Sequence, residues 1–383
     1  MKRFVFSLCA AFLMCLANAQ SPIAVQPYLQ NPAEDGMTIM WQTFLPACGW
    51  VEYGTDTTRL QIKRVVENGI VLANVAKHKI RIDGLVPNQK YYYRVCSQNV
   101  IIYGGYDKQF APAVKSPFYS FTTLGKQGTD FTCAIFNDLH SNVALFDKLT
   151  KQLALKNIRY DFVVYNGDCF NDPYSEEHEV GLLKRYNAAM DASNIPSVFL
   201  RGNHEVRGTY ALKWPSLFDW ADGKSYFSFS FGDTRFVFLD NGEDKNDGHV
   251  EYFNMADFTD FRNEETVWLQ SEIARPEFKN ATRRVLIQHI PIYAWENAFD
   301  PGFIPCKDLW DPIYQRTTFD INITGHLHKF DFYPSNKVGN PFPLVVGGGN
   351  TDDTAIVMIL QKQGNKLTLK VIDVYGKVVE FAL

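Results

Sequence analysis

The strongest constraint on this chain is where its metal-ligating residue types stand, each just past the end of a predicted strand. Phe131–Phe136 runs into Asp138 and His140, and Tyr160–Tyr165 runs into Gly167-Asp168. Pro196–Leu200 leads to Asn203, His204 and Glu205, Arg284–Gln288 to His289, and Asp320–Thr324 to Gly325-His326-Leu-His328. Five of the eight histidines (140, 204, 289, 326, 328) fall in these segments. Between the first strands, Val143, Phe146, Leu149 and Leu153 repeat at helical spacing, and 180–192 reads as a second helix. Strand, helix, strand, helix, strand implies an α/β domain, whose ligands bind at the carboxyl edge of the strands. Core packing gives no reason to place polar groups only there.

The chemistry follows from the donor types. Asp138, Asp168, His140, His289, His326, His328 and Asn203 offer oxygen and imidazole nitrogen without thiolate, a set suited to zinc, manganese or iron. Seven donors crowd one ion, but divide comfortably between two divalent ions if one carboxylate bridges, and Asp168 is the natural bridge. Such a pair of cations activates water and offsets charge on phosphate oxygens, which points to hydrolysis of a phosphate ester. Arg207 follows closely, and its guanidinium matches phosphate; a plain surface arginine is the competing reading. Stretches 171–180, 241–265 and 292–318 read as long irregular loops, which are usually functional. Tyr174, Tyr293, Trp295 and Glu296 lie in them as candidate pocket walls. His78 reads as an exposed strand residue, and His178 and His249 as solvated surface.

Lys2 and Arg3, the apolar run Phe4–Leu16 and the small-residue site Ala17-Asn-Ala19 read as an export signal over residues 1–19, with the mature chain starting at Gln20. The run is too short to span a bilayer, and no later stretch does so. A secreted or periplasmic protein is expected. A formal charge of -4 gives no case for binding nucleic acid or an anionic membrane. Five cysteines remain after the signal, an odd number, so at least one is unpaired; Cys48 and Cys96 are candidates for a disulfide. Cys133 and Cys169 read as packing residues.

Residues 22–124 have a different rhythm. Met37–Thr43, Lys79–Asp83, Tyr91–Val95 and Tyr119–Thr123 alternate with period two between turn residues, the pattern of a β-sandwich of roughly a hundred residues. Gly125–Thr129 reads as a linker, and 130–383 as the second domain.

Taken as an ordered set, Asp138-x-His140, Gly167-Asp168, Gly202-Asn-His-Glu205, His289 and Gly325-His-x-His328 resemble the signature of the calcineurin-like metallophosphoesterase superfamily. Val25-Gln-Pro-Tyr-Leu and Met40-Trp-Gln-Thr resemble the fibronectin-III-like domain that precedes the catalytic domain in purple acid phosphatases. The resemblance implies an all-β N-terminal sandwich followed by a four-layer α/β/β/α catalytic domain. It implies one metal held by Asp138, His140, Asp168 and His328, and another held by Asp168, Asn203, His289 and His326. It further implies attack by a metal-bound hydroxide, with His204 protonating the leaving oxygen and Glu205 orienting His204. Asn203 and Arg207 are the expected substrate contacts, and a phosphorylated small molecule the expected substrate. Phosphomonoester hydrolysis leads; diester or nucleotide pyrophosphate hydrolysis, and a non-catalytic extracellular binding protein, are the alternatives.

One departure carries a prediction. Purple enzymes have a tyrosine three residues after the bridging aspartate, whose phenolate on iron(III) gives their colour. That position is Asn171 here, and His140 occupies a place the purple group lacks. The purified protein is therefore expected to be colourless, and a strong charge-transfer band in its visible spectrum would refute this.

Overall fold

The computed structural model describes residues 22–126 and 128–383; the export signal read over residues 1–19 lies outside them. The N-terminal strands are β1 (Ile23–Gln30), β2 (Gly36–Gly54), β3 (Val75–Asp83), β4 (Lys90–Tyr103) and β5 (Tyr119–Thr122), all paired antiparallel. β2 is 19 residues long where the sequence reading stopped at Thr43. Its first half pairs with β1 and β3 and its second half with β4, with a register break between Gln42 and Ala47. Exposed Phe44, Leu45 and Pro46 mark that break, where one strand crosses between the two layers. The sandwich core is the set the alternation selects: Met37, Ile39, Trp41, Ile80, Ile82, Tyr91, Tyr93 and Val95.

His78 corrects the reading of an exposed residue. It shares the inward parity of Ile80 and Ile82, is 5% exposed, and stacks on Trp41 at 4.6 Å between ring centroids. Its Nε2 lies 3.3 Å from Thr43 Oγ1. Gly49 makes the room, since a Cβ there would stand 2.5 Å from His78 Nδ1 and 2.7 Å from Trp41 Cζ2. Cys48 and Cys96 are both free: across β2 and β4, Cys96 faces Trp50 and Cys48 faces Gln98.

The second domain alternates β6 (Phe131–Phe136), α1 (Val143–Leu155), β7 (Phe162–Asn166), α2 (Glu176–Ala189) and β8 (Ser197–Leu200). It continues with β9 (Phe227–Phe231), β10 (Thr234–Leu239), α3 (Phe258–Ala274), β11 (Arg283–Gln288), α4 (Lys307–Tyr314) and β12 (Ile321–Thr324). The last strands are β13 (Asp331–Tyr333), β14 (Leu344–Val346), β15 (Ile356–Gln363), β16 (Lys366–Asp373) and β17 (Val378–Ala382). They form two six-stranded sheets, ordered β8-β7-β6-β15-β16-β17 and β9-β10-β11-β12-β14-β13. Within them β6, β7 and β8 are parallel, as are β10, β11, β12 and β14.

Strand alternation explains the layering. Phe131, Cys133 and Ile135 point between the sheets with Phe162, Phe236, Val285 and Ile323, while Ala134 and Phe136 point outward to α1 and α2. On the other outer face, Val237, Leu239 and Leu286 pack under α3 and α4. Helix, sheet, sheet, helix is the four-layer arrangement. The sandwich docks on it through Val25, Tyr28 and Met40 in the α2-side core, and through Gln30 Nε2 donating to Ser197 Oγ at 2.8 Å.

Three helices differ from the sequence reading. α2 begins four residues earlier than expected because Ser175 caps it, accepting from His178 N, with Glu176, Glu177 and Glu179 in its positive first turn. α3 starts inside the stretch read as irregular, and α4 lies within another. The inner face of α3 carries Arg262, Glu265 and Glu272, so no apolar period betrays it. Those groups are hydrogen-bonded instead: Glu265 accepts from Asp240 N at 2.7 Å, Arg262 donates to Asn241 O, and Glu272 pairs with Arg235 Nε at 2.7 Å.

Burial holds the His78 imidazole down to about 4. The unfolded chain takes up this proton near the ordinary value of about 6.5, so the native state binds fewer protons between those values. His78 therefore contributes stability that is complete above about pH 6.5 and is lost as pH falls toward 4, up to about 3 kcal/mol. Urea midpoints at pH 7 and 5 should fall more for the natural chain than for His78→Phe; equal slopes would contradict this.

Candidate metal centre

The parallel strands of both sheets deliver their carboxyl ends to one place. Past β6 and β7 the chain keeps the ladder going, with Asp138 N donating to Gly167 O at 3.1 Å and His140 N to Asp168 O at 2.8 Å. Asp138 (φ 51), His140 (φ 45), Asp168 (φ 50), His326 (φ 72) and His328 (φ 52) all adopt left-handed backbone. That conformation is costly for residues with a Cβ and persists where the surroundings over-determine it. It turns these side chains inward over the sheet edge.

Asp138, His140, Asp168 and His328 bring one donor atom each within 4.8 Å of one another, and Asp168, His289 and His326 do the same. Asp168 belongs to both groups. Asn203 joins the second, its Oδ1 lying 3.0 Å from His326 Nδ1. All seven expected donors are thus gathered around one carboxylate.

The site fits two cations on its own evidence. Asp138 Oδ1 and His289 Nε2 are buried without a hydrogen-bond partner among the described residues, although His289 Nε2 comes to 3.1 Å from Asp168 Oδ2. The Nε2 atoms of His140 and His328 face each other at 3.0 Å. Buried polar atoms left without partners in a ring of carboxylate and imidazole groups are unfavourable unless a cation sits among them. Two metal ions fit this dinuclear set.

Electrostatics agrees. Burial opposes charge on Asp138 and Asp168, yet His289 and the other imidazoles outweigh it and hold both carboxyls well below the usual range. Burial likewise opposes protonation of His289 and His140, but Asp168 and Asp138 overcome it and raise them to about 10 and about 9. His326 goes the other way, pulled down to about 4 by burial with His289 adding to it. His289 Nδ1 donates to Asn166 O at 2.8 Å and His140 Nδ1 to Asn171 Oδ1 at 3.0 Å, which turns Nε2 of each toward the centre. Asn171 thus has a structural task where a purple enzyme has tyrosine.

Glu205 requires a correction. It was expected to orient His204, but its buried carboxylate instead accepts three backbone amides. Oε2 takes Asp168 N at 2.8 Å and Gly202 N at 2.7 Å, and Oε1 takes Phe170 N at 2.9 Å. It staples the β8 loop to the loop that carries Asp168. Burial and then Asp168 push its carboxyl up to about 7. The partner of His204 is Asp172, whose Oδ1 accepts from His204 Nδ1 at 3.0 Å. His204 N also donates to Asp168 Oδ1 at 2.9 Å. Burial holds the His204 imidazole below its ordinary value; Asp168 works against this, and His140 and Arg207 work with it.

Sequence gave no sign of Asp172 as a partner, or of Glu243 and Asp244. The Arg207 guanidinium meets Glu243 bidentately at 2.8 and 2.7 Å and Asp244 at 3.0 Å, leaving Nη1 3.5 Å from His204 Nε2. Most of its hydrogen-bonding capacity is therefore taken within the protein. Trp295 stands against the centre, its ring 5.0 Å from that of His326. Tyr293 is buried and donates to Asp311 instead, and Tyr174 is exposed beside His178.

Comparison with known proteins finds two family matches: calcineurin-like phosphoesterase over residues 131–330, and the purple acid phosphatase N-terminal domain over 22–123. Purple acid phosphatase 21 of Arabidopsis thaliana is 23% identical over 360 residues, covering 86% of this chain and 72% of its own length. Purple acid phosphatase 22 of the same plant is 22% identical over 302 residues, covering 73% of this chain and 60% of its own. Among solved structures, a purple acid phosphatase from yellow lupin seeds shares the fold with a TM-score of 0.66 and 16% identity, over 93% of this chain and 73% of that one. PhoD does so at 0.61 and 14%, over 95% and 90%.

Two substitutions test the supports of the centre rather than its donors. In Glu205→Gln the amide NH2 meets a backbone N–H where a carboxylate oxygen accepted it. In Gly202→Ala the new Cβ falls 2.2 Å from Asp168 Oδ1. Each should weaken zinc or manganese binding by roughly 10–100-fold while the fold persists. Calorimetric titration of the metal-free protein measures it, and unaltered affinity in both variants would show that these contacts do not support the centre.

Proposed function

The chain belongs to the calcineurin-like phosphoesterase family, and on that footing we propose that it is a secreted phosphomonoesterase acting on a phosphorylated small molecule. It is a metallophosphoesterase with two metal ions; zinc, manganese or iron as divalent ions are the identities the donor set favours. The observation that carries the reading is the sharing of one buried carboxylate, Asp168, by two donor groups with His204 beside it. In this reading Asp138, His140, Asp168 and His328 hold one ion, and Asp168, Asn203, His289 and His326 hold the other. When bound, the ions activate water and offset charge on the phosphate oxygens.

The chain's own residues do the rest. Asp172 occupies His204 Nδ1, so Nε2 faces the centre and is placed to give a proton to the leaving ester oxygen. Glu205 fixes the backbone on which Asp168 and His204 sit. Arg207, held by Glu243, brings Nη1 to 3.5 Å from His204 Nε2, in position to meet a phosphate oxygen at the same place. Asn203 Oδ1, 3.0 Å from His326 Nδ1, would serve the ion, which leaves its NH2 to donate to a phosphate oxygen. Export rests on the signal-like residues 1–19; among the described residues no helix is long and apolar enough to cross a membrane.

Assays with nitrophenyl phosphate decide the matter. His204→Ala should lower kcat by roughly 10²–10⁴-fold with two metals still bound. Asp168→Ala should lose activity together with metal content. Full activity in both variants would overturn the assignment.

A further inference from the structure

A cavity of about 780 Å³ is lined in part by Arg201 and by Val206, Arg207 and Gly208, which flank the segment that carries His204. Arg207 belongs to its lining, and Arg207 Nη1 is the atom 3.5 Å from His204 Nε2. The cavity and the proton donor therefore share a boundary one side chain thick. Tyr252, Phe258 and Phe261 supply aromatic surface, and Leu212 and Met255 at the rim are 98% and 85% exposed. Large apolar side chains held in water around a concavity mark a place where something apolar is received.

Charge narrows what that is. Three cations line the cavity, and each is committed to a carboxylate: Arg201 to Asp240 at 2.6 Å, Arg207 to Glu243 at 2.7 Å, and Lys224 to Glu264 at 2.6 Å. Glu251 and Asp257 add further negative charge to the lining. Among the described lining residues a second phosphate group would meet no cation without a carboxylate partner, whereas a flat uncharged ring would find aromatic faces to stack on.

We propose that this cavity is the subsite for the alcohol portion of the substrate, and that this portion is an uncharged aromatic group. The preferred substrates are then aryl phosphate monoesters rather than compounds with several phosphates. The inference rests on the role given to His204 above: with the leaving oxygen at His204 Nε2, the organic group extends past Arg207 into the cavity. The step is hydrolysis. The oxygen of water bonds to phosphorus as the ester P–O bond breaks, His204 passes a proton to the leaving oxygen, and water replaces that proton, giving a phenol and inorganic phosphate.

The test uses the metal-loaded protein with 1-naphthyl phosphate, glycerol 2-phosphate and phytate, together with a fluorescence titration of 1-naphthol. Phe261→Ala and Leu212→Asp alter the cavity, and the second changes a side chain already in solvent, so it does not challenge the fold. Each should raise KM for 1-naphthyl phosphate and lower its kcat/KM relative to glycerol 2-phosphate by roughly tenfold, with kcat largely kept and 1-naphthol bound more weakly. Unchanged kinetics and unchanged 1-naphthol binding in both variants, or a wild-type preference for phytate, would overturn the subsite and leave the catalytic reading standing. A wild-type protein that cleaves none of the three overturns the catalytic reading instead, and the 1-naphthol titration still decides whether the cavity binds an aromatic ring.

Discussion

Buried negative charge at the edge of two sheets governs this molecule. Asp138 and Asp168 are 0% and 1% exposed, and Glu205, also buried, lies against the backbone of Asp168. Three carboxyl groups taken out of water in so small a volume repel one another and lose hydration, a cost that only opposite charge and dense hydrogen bonding can offset. The protein supplies backbone amides to Glu205 and imidazoles to the aspartates, and two cations held there would complete the neutralisation. Every close contact of the centre serves that balance, from the left-handed backbone at the donors to the glycine at 202 that lets Asp168 approach.

The four-layer scaffold makes such a cluster affordable to the fold. Parallel strands end together, so residues far apart in sequence reach one point without long structureless connections. Both faces of each sheet are covered, by the other sheet inside and by helices outside. The sandwich domain adds its own apolar residues to the outer core on the α2 side. It is thereby anchored close to the helix whose preceding loop supplies Asp172.

A layer of charged residues behind the donors separates this centre from a generic one. Arg207, Glu243, Asp244 and Tyr252 form a connected set, with Tyr252 Oη donating to Glu243 at 2.7 Å. Lys245 closes it from the other side, 2.9 Å from Asp244. Nearly neutral in sum, this set fixes the orientation of one guanidinium beside His204, and Arg207, Glu243 and Tyr252 from it also line the aromatic cavity. The donors themselves suit any phosphate ester, so what distinguishes one such centre from another lies in the residues around them.

Local chemistry and periodicity by themselves determined much of this protein: the donor identities, their places after strands, the alternating core of the sandwich and the first amphipathic helix. Those features are encoded within a few residues, where residue type and spacing carry the signal. Even His78 belonged to this class, for its parity with Ile80 and Ile82 pointed inward. Tertiary structure alone decided which carboxylate meets which base. Asp172 rather than Glu205 holds His204, Arg207 is occupied by Glu243 and Asp244, and α3 hides charges on its inner face. Such pairings join residues 25 to 37 positions apart through loops whose paths no local period specifies. Only the packing of the sheets brings them within hydrogen-bonding distance.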